Sequence, residues 1–162
     1  MLVLGIDPGT ATTGYGVVRE GEQGPEAVAY GIIQTPAGAP MPERLLTIYR
    51  ELKAIIALHQ PDTGAVEKLF FQRNVSTAMT VGQGRGVALL ALAEAGLPVG
   101  EYTPKDVEQA VSGYGGADKP QMQAMVRAIL NLSELPRPDD AADALAVAIC
   151  HLHSARLKAL TG

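Results

Sequence analysis

Cysteine is almost missing from this chain: Cys150 is the only one in 162 residues. A single thiol closes no internal disulfide and builds no thiolate zinc site, and it agrees with a reducing, cytoplasmic setting. Cys150 itself reads as a small buried apolar residue on the last helix. No apolar run reaches the roughly 18 residues that a membrane span needs. The chain is expected to enter a strand directly after Met1, with no basic leader or cleavage signal. G-x-x-x-x-G-K-[ST] is absent, which excludes a P-loop. Gly82-Gln83-Gly84-Arg85-Gly86 is a poor dinucleotide fingerprint, because it sits inside a helical pattern and follows no strand. A basic excess is lacking too: 13 Lys and Arg face 17 Asp and Glu, a net charge of −4. If four of the acids are metal ligands, the rest of the chain is neutral, so charge neither supports nor forbids a DNA substrate.

What is present suits one globular domain spanning 1–162, with 47% hydrophobic and 19% charged residues. Strand signals run over Leu2–Asp7, Gly14–Arg19 and Ala27–Thr35, separated by Pro8-Gly9 and by Gly21–Pro25. A helix follows from Glu43 to about His59, stopped by Pro61, and a fourth strand ends at Glu67. After a polar and aromatic connection, Lys68–Asn74, a small-residue helix is expected over Ser76–Glu94, closed by Gly96. Its glycines cost helix stability and make sense if a backbone or ligand approaches closely. Leu97–Tyr102 reads as a fifth strand and Pro104 starts a short helix. Past a glycine-rich loop at Ser112–Ala117, the final helices are expected at Lys119–Leu132 and Asp139–Leu157. Three strands in a row followed by alternation predict an α/β fold, a mixed five-stranded sheet with helices on both faces and an antiparallel meander first.

The chemistry lies in four carboxylates. Asp7 ends a buried run, Glu67 ends another, and Asp140 and Asp143 open the last helix three residues apart, on one face. Each has an ordinary explanation alone: turn chemistry at Asp7-Pro8-Gly9, a strand meeting water at Glu67, and acids favouring a helix N-terminus. Together they make an oxygen-only donor set suited to Mg²⁺ or Mn²⁺. Two such ions roughly 3.5–4 Å apart serve phosphodiester hydrolysis, and Asp7, on the most rigid element, is the expected bridge. His151 and His153 diverge on a helix, although His151 can still serve near the site, and His59 reads as helix-end polarity.

For DNA contact the candidates are Lys68, Phe70, Phe71, Arg73 and Asn74. The chain's only two phenylalanines stand here beside basic side chains. Stacking on an unpaired base is one reading, and rings folded into the core is the other. Lys105, Lys119 and Arg127 are further phosphate candidates.

These residues resemble the RuvC family of Holliday-junction resolvases. The motifs are Gly5-Ile6-Asp7-Pro8-Gly9, Thr13-Gly14-Tyr15-Gly16, Glu67-Lys68-Leu69-Phe70 with Asn74, and Gly82-Gln83-Gly84-Arg85-Gly86. Later ones are Glu101-Tyr102, Gly113-Tyr114-Gly115-Gly116-Ala117-Asp118-Lys119, Met125-Val126-Arg127 and Asp140-Ala141-Ala142-Asp143-Ala144-Leu145-Ala146. The resemblance implies a ribonuclease-H-like fold and a homodimer that nicks four-way DNA junctions in symmetric pairs, leaving ligatable 5′-phosphate ends. It implies Asp7, Glu67, Asp140 and Asp143 as metal-binding catalytic residues, Lys119 near the scissile phosphate, and Phe70 against junction DNA. Arg85 joins the DNA-binding candidates through its motif, and a RuvA–RuvB branch-migration complex is the implied partner.

One departure from the family pattern is Val107-Glu108-Gln109, where a lysine is common in the middle position; Lys105, one turn earlier, is a candidate replacement. Asp139 is an extra acid with no assigned role. Rival readings are an actin-like or sugar-kinase-like nucleotide-binding domain, a non-catalytic junction-binding module, and another nuclease or transposase of the same fold.

Overall fold

The computed structural model describes residues 1–68 and 75–162. Strand β1 (Leu2–Asp7) pairs antiparallel with β2 (Thr12–Gly21), which pairs antiparallel with β3 (Gly24–Gln34). On its other side β1 pairs in parallel with β4 (Thr63–Glu67), and β4 with β5 (Val99–Tyr102). The order is β3-β2-β1-β4-β5, the expected meander followed by crossovers. The hairpin is longer than the apolar pattern suggests, because Gly24 takes φ +122° and closes a tight turn. Pro25 is tolerated because β3 is an edge strand, where a missing N–H breaks no ladder bond.

Helices α1 (Met41–His59) and α2 (Val75–Glu94) cover one face of the sheet. Leu4, Ile6, Val17 and Val66 pack there against Ile48, Leu52, Ala88 and Leu92. The opposite face carries α5 (Asp139–Thr161), with α3 (Pro104–Ser112) and α4 (Lys119–Ile129) outside it. Val3, Val18 and Ala65 meet Leu145, Ala148 and Leu152 in that layer, and Cys150 is buried in it. Burial pushes the Cys150 thiol up to about 12, so it is inert. α5 is buried on almost every side because it is sandwiched between the sheet and α3/α4, which accounts for its alanines.

Several boundaries differ from expectation: α1 begins at Met41, not Glu43, and β5 at Val99, not Leu97, and two helix ends move as well. α4 stops at Ile129, not Leu132, since Asn131 turns to φ +52° and Arg127 folds back on the Leu132 and Ser133 carbonyls at 3.2 and 2.9 Å. α5 continues to Thr161, beyond Leu157. Among the glycines of α2, only Gly84 lies close to another backbone, that of Gly9; nothing among the described residues approaches Gly82 or Gly86. No helix among the described residues is long and apolar enough to cross a membrane.

Candidate active site

Side chains alternate along β1, so Val3, Gly5 and Asp7 share the face under α5. The parallel register Ile6↔Val66 carries β4 alongside, and Glu67 follows Ala65 onto that same face. Asp7 and Glu67 therefore end adjacent strands. What brings α5 down to them is a set of glycines. Gly14 is the register partner of Asp7, and Gly16 that of Gly5. A Cβ on Gly14 would overlap the Asp140 carbonyl, one on Gly5 the Ala144 carbonyl, and one on Gly16 the Leu145 side chain. Without side chains at these three positions, the first turns of α5 rest directly on the sheet.

The result is a cluster in which carboxylate oxygens of Asp7, Asp140 and Asp143 all lie within 4.8 Å of one another. Glu67 stands outside that trio but within electrostatic reach of Asp7. Burial, reinforced by repulsion from Asp143, Glu67 and Asp140, raises the Asp7 carboxyl to about 8. Glu67 is raised to about 7, first by burial and then by Asp143 and Glu108. Asp143 is also raised by burial, with Lys119 opposing the shift. Half-buried carboxylates crowded to this degree favour protonation unless a cation joins them. An oxygen-only set with that deficit of positive charge fits a hard divalent ion.

Lys119 opens α4 behind the Asp118 capping box and points its ammonium at Asp143 (3.5 Å) and Asp139 (3.9 Å). Attraction to Asp143 raises its pKa, so it stays cationic. Asp139 acquires a role here: it accepts a hydrogen bond from Gln123 Nε2 at 3.0 Å, tying the start of α5 to α4. A cleft of about 250 Å³ opens beside the carboxylates, lined by Glu67, Val107, Glu108, Lys119, Met122 and Asp143. Glu108 faces this cleft, whereas Lys105 is exposed on α3 and does not line it.

The loop after Asp7 is held from three directions. Thr13 Oγ1 donates to the Gly9 carbonyl at 2.6 Å, Thr35 Oγ1 donates to the Thr10 carbonyl, and Arg44 Nε donates to Thr35 Oγ1 at 2.9 Å. Thr13 belongs to the Thr13-Gly14-Tyr15-Gly16 motif, but neither Thr35 nor Arg44 stands out in the sequence, because single Thr and Arg residues are common in strands and helices. His151 does not join the carboxylates. Its ring lies over Gly100, between Tyr102 OH at 2.7 Å and Thr63 Oγ1 at 3.1 Å. Thr63 donates to the Pro98 carbonyl, so it accepts from His151 Nε2–H while Nδ1 accepts from Tyr102. Burial lowers the His151 pKa, in keeping with a neutral ring. Arg85 contacts Glu101 and the Glu67 backbone. Phe70, Phe71, Arg73 and Asn74 lie outside the described residues.

A carboxylate cluster at the ends of two parallel central strands, closed by a helix laid across a mixed sheet, defines an acid-cluster nuclease of the ribonuclease-H-like class. The particular family follows from comparison with known proteins. The family model for crossover junction endodeoxyribonuclease RuvC matches residues 3–151. A crossover junction endodeoxyribonuclease RuvC of Chloroflexus aggregans is 64% identical over 155 residues, covering 96% of this chain and 94% of its own length. RuvC of Thermus thermophilus, solved in complex with Holliday junction substrate, is 40% identical with a TM-score of 0.92, covering 98% of this chain and 96% of its own. A second T. thermophilus RuvC structure is 38% identical with a TM-score of 0.90, covering 98% and 97%. The chain belongs to the crossover junction endodeoxyribonuclease RuvC family. Membership in an endonuclease family takes the place of the nucleotide-binder and non-catalytic readings.

Proposed function

We propose that this chain resolves four-way DNA junctions by paired, symmetric nicking in recombination and repair. The observation that carries the reading is the Asp7–Asp140–Asp143 cluster within 4.8 Å, in a chain whose fold matches a T. thermophilus RuvC solved with a Holliday junction at a TM-score of 0.92. Asp7, Asp140 and Asp143, with Glu67 beside them, would hold Mg²⁺ or Mn²⁺, and four carboxylates balance the charge of two divalent ions. When bound, such ions activate the attacking water and stabilise the oxygens of the reacting phosphodiester.

The chain's own residues do the rest. The glycines under α5 fix the carboxylates in advance, so binding requires little rearrangement. Lys119, cationic, beside Asp143 and lining the cleft, would meet a phosphate oxygen there. Phe70, Phe71, Arg73, Asn74 and Lys105 are proposed DNA contacts on the grounds of residue type and family resemblance.

Paired nicking calls for two active sites, hence a homodimer. The exposed Val75, Met79 and Leu90 of α2, aligned with Gly82 and Gly86 at helical spacing, offer an apolar face for a second copy. One nuclease domain over 1–162, a RuvA–RuvB partner and a cytoplasmic setting complete the proposal on family resemblance. A synthetic four-way junction and a linear duplex of the same sequence, each incubated with and without Mn²⁺, test it. Cleavage of the junction alone, and only with metal, is expected; equal cleavage of both substrates would overturn it.

A further inference from the structure

We propose that Arg85 and Glu101 form a latch that positions Glu67, so that Arg85 serves the reaction through the carboxylate site and not by gripping a DNA phosphate. The inference rests on the nuclease reading and adds a positioning pair to it. Arg85 stands on α2, on the face of the sheet opposite α5. Its Nε donates to the Glu67 carbonyl at 3.4 Å, and its Nη2 pairs with Glu101 Oε1 on β5. Glu101 is the register partner of Val66, next to Glu67. One guanidinium thus ties α2 to the ends of both β4 and β5.

Glu67 is held by the sheet on one side only. The β1–β4 ladder ends at Ile6↔Val66, one residue short of it, whereas its pairing with Tyr102 and the Lys68 N–H bond to the Tyr102 carbonyl at 2.6 Å fasten it to β5, the strand that Arg85 grips through Glu101. The Glu67 carboxylate is not one of the trio of Asp7, Asp140 and Asp143. Where the end of β4 is held therefore sets how near it comes to them. The neighbouring residue on α2 supports the same reading: Gly84 rests against the Gly9 backbone and Thr10, in the loop after Asp7. Consecutive residues of one helix, Gly84 and Arg85, thereby hold the ends of both strands that deliver carboxylates. The Arg85 side chain is 20% exposed, against 55% for Lys119, and its charge is already matched by Glu101. A phosphate would have to compete with that pair.

Arg85→Lys, Arg85→Ala and Glu101→Gln separate the roles. Mn²⁺ binding would be measured by calorimetry without DNA, junction binding in EDTA across a salt series, and cleavage at saturating junction with Mn²⁺. The latch predicts Mn²⁺ binding weakened about 10- to 100-fold, as for loss of a group that orients a ligand. Cleavage should fall by a similar factor while the salt slope of junction binding is unchanged. Arg85→Lys and Glu101→Gln should match Arg85→Ala, and combining Arg85→Ala with Glu101→Gln should add little. A phosphate contact predicts the reverse: Arg85→Ala would lower the salt slope by about 0.9, Arg85→Lys would retain it, and Glu101→Gln would tighten junction binding at full cleavage rate. That pattern would overturn the latch. If Arg85→Ala fails to fold, the milder Arg85→Lys and Glu101→Gln decide. Wild-type protein that binds Mn²⁺ but cleaves no junction would reject the nuclease reading, and the calorimetry would still judge the latch.

Discussion

Asp7→Asn should loosen the dependence of the metal-free protein's stability on pH, and do so with a definite sign. The folded chain holds the Asp7 proton up to about pH 8, whereas an exposed aspartate releases it near 3.8. Between those values the folded state binds more protons than the unfolded state, so stability is full below the lower value and is lost as pH rises through the higher. Asp7 contributes a slope of at most about 1.4 kcal/mol per pH unit in that window. Glu67, raised to about 7 from 4.5, adds a second contribution of the same sign. Asparagine removes the first and leaves the second. The loss of stability from about pH 5 to about pH 8 should then shrink by up to about 4 kcal/mol. Urea unfolding in EDTA at several pH values reads this directly. Mn²⁺ at a hundred times its Kd should stabilise wild type by about 2.7 kcal/mol and Asp7→Asn by much less. Wild-type and variant curves that run parallel in pH, with equal gains from Mn²⁺, would refute the crowded-carboxylate picture.

The other variants probe different parts of the molecule. Gly14→Ala places a methyl group against the Asp140 carbonyl, so it should destabilise the fold by about 1–3 kcal/mol and depress cleavage sharply; melting temperature and single-turnover rates would show it. Glu108→Lys exchanges repulsion for attraction in the cleft beside Glu67 and should tighten junction binding and steepen its salt dependence by about 0.9, while Lys105→Ala, if Lys105 meets phosphate, should reduce that slope by a similar amount. Phe70→Ala should lose about 1–3 kcal/mol of junction binding if its ring stacks on a base, with a smaller defect on junctions mismatched at the crossover; equal defects on both substrates would count against stacking.

Asp7 and Glu67 were legible because an apolar run ending in a carboxylate marks where a buried strand emerges, and the meander-then-crossover order puts two such ends side by side. Asp140 and Asp143 were legible as one helix face. Less visible was the means by which the helix reaches the strands. Gly5, Gly14 and Gly16 read as weak strand residues until the antiparallel register aligns them under α5. The pairing of Asp7 with Gly14 carries that signal. Arg85 and Arg127 show a second limit. Composition presents both as free cations, yet Glu101 and the carbonyls of Leu132 and Ser133 engage them, partners that only the folded chain supplies. The end of α4 at Ile129 depended on one positive-φ asparagine, and the last turn of α5 is exposed, so no apolar period marks how far either helix runs.

The most direct test of the account is to map the nicks. A four-way junction labelled on each strand in turn would be treated with the protein and Mn²⁺, and the products sealed with DNA ligase without prior phosphorylation. Two nicks at symmetry-related positions on opposing strands, with 5′-phosphate ends that ligate directly, are the predicted result, and Asp7→Asn should yield none. Scattered or single-strand nicks, or the same pattern from Asp7→Asn, would contradict it.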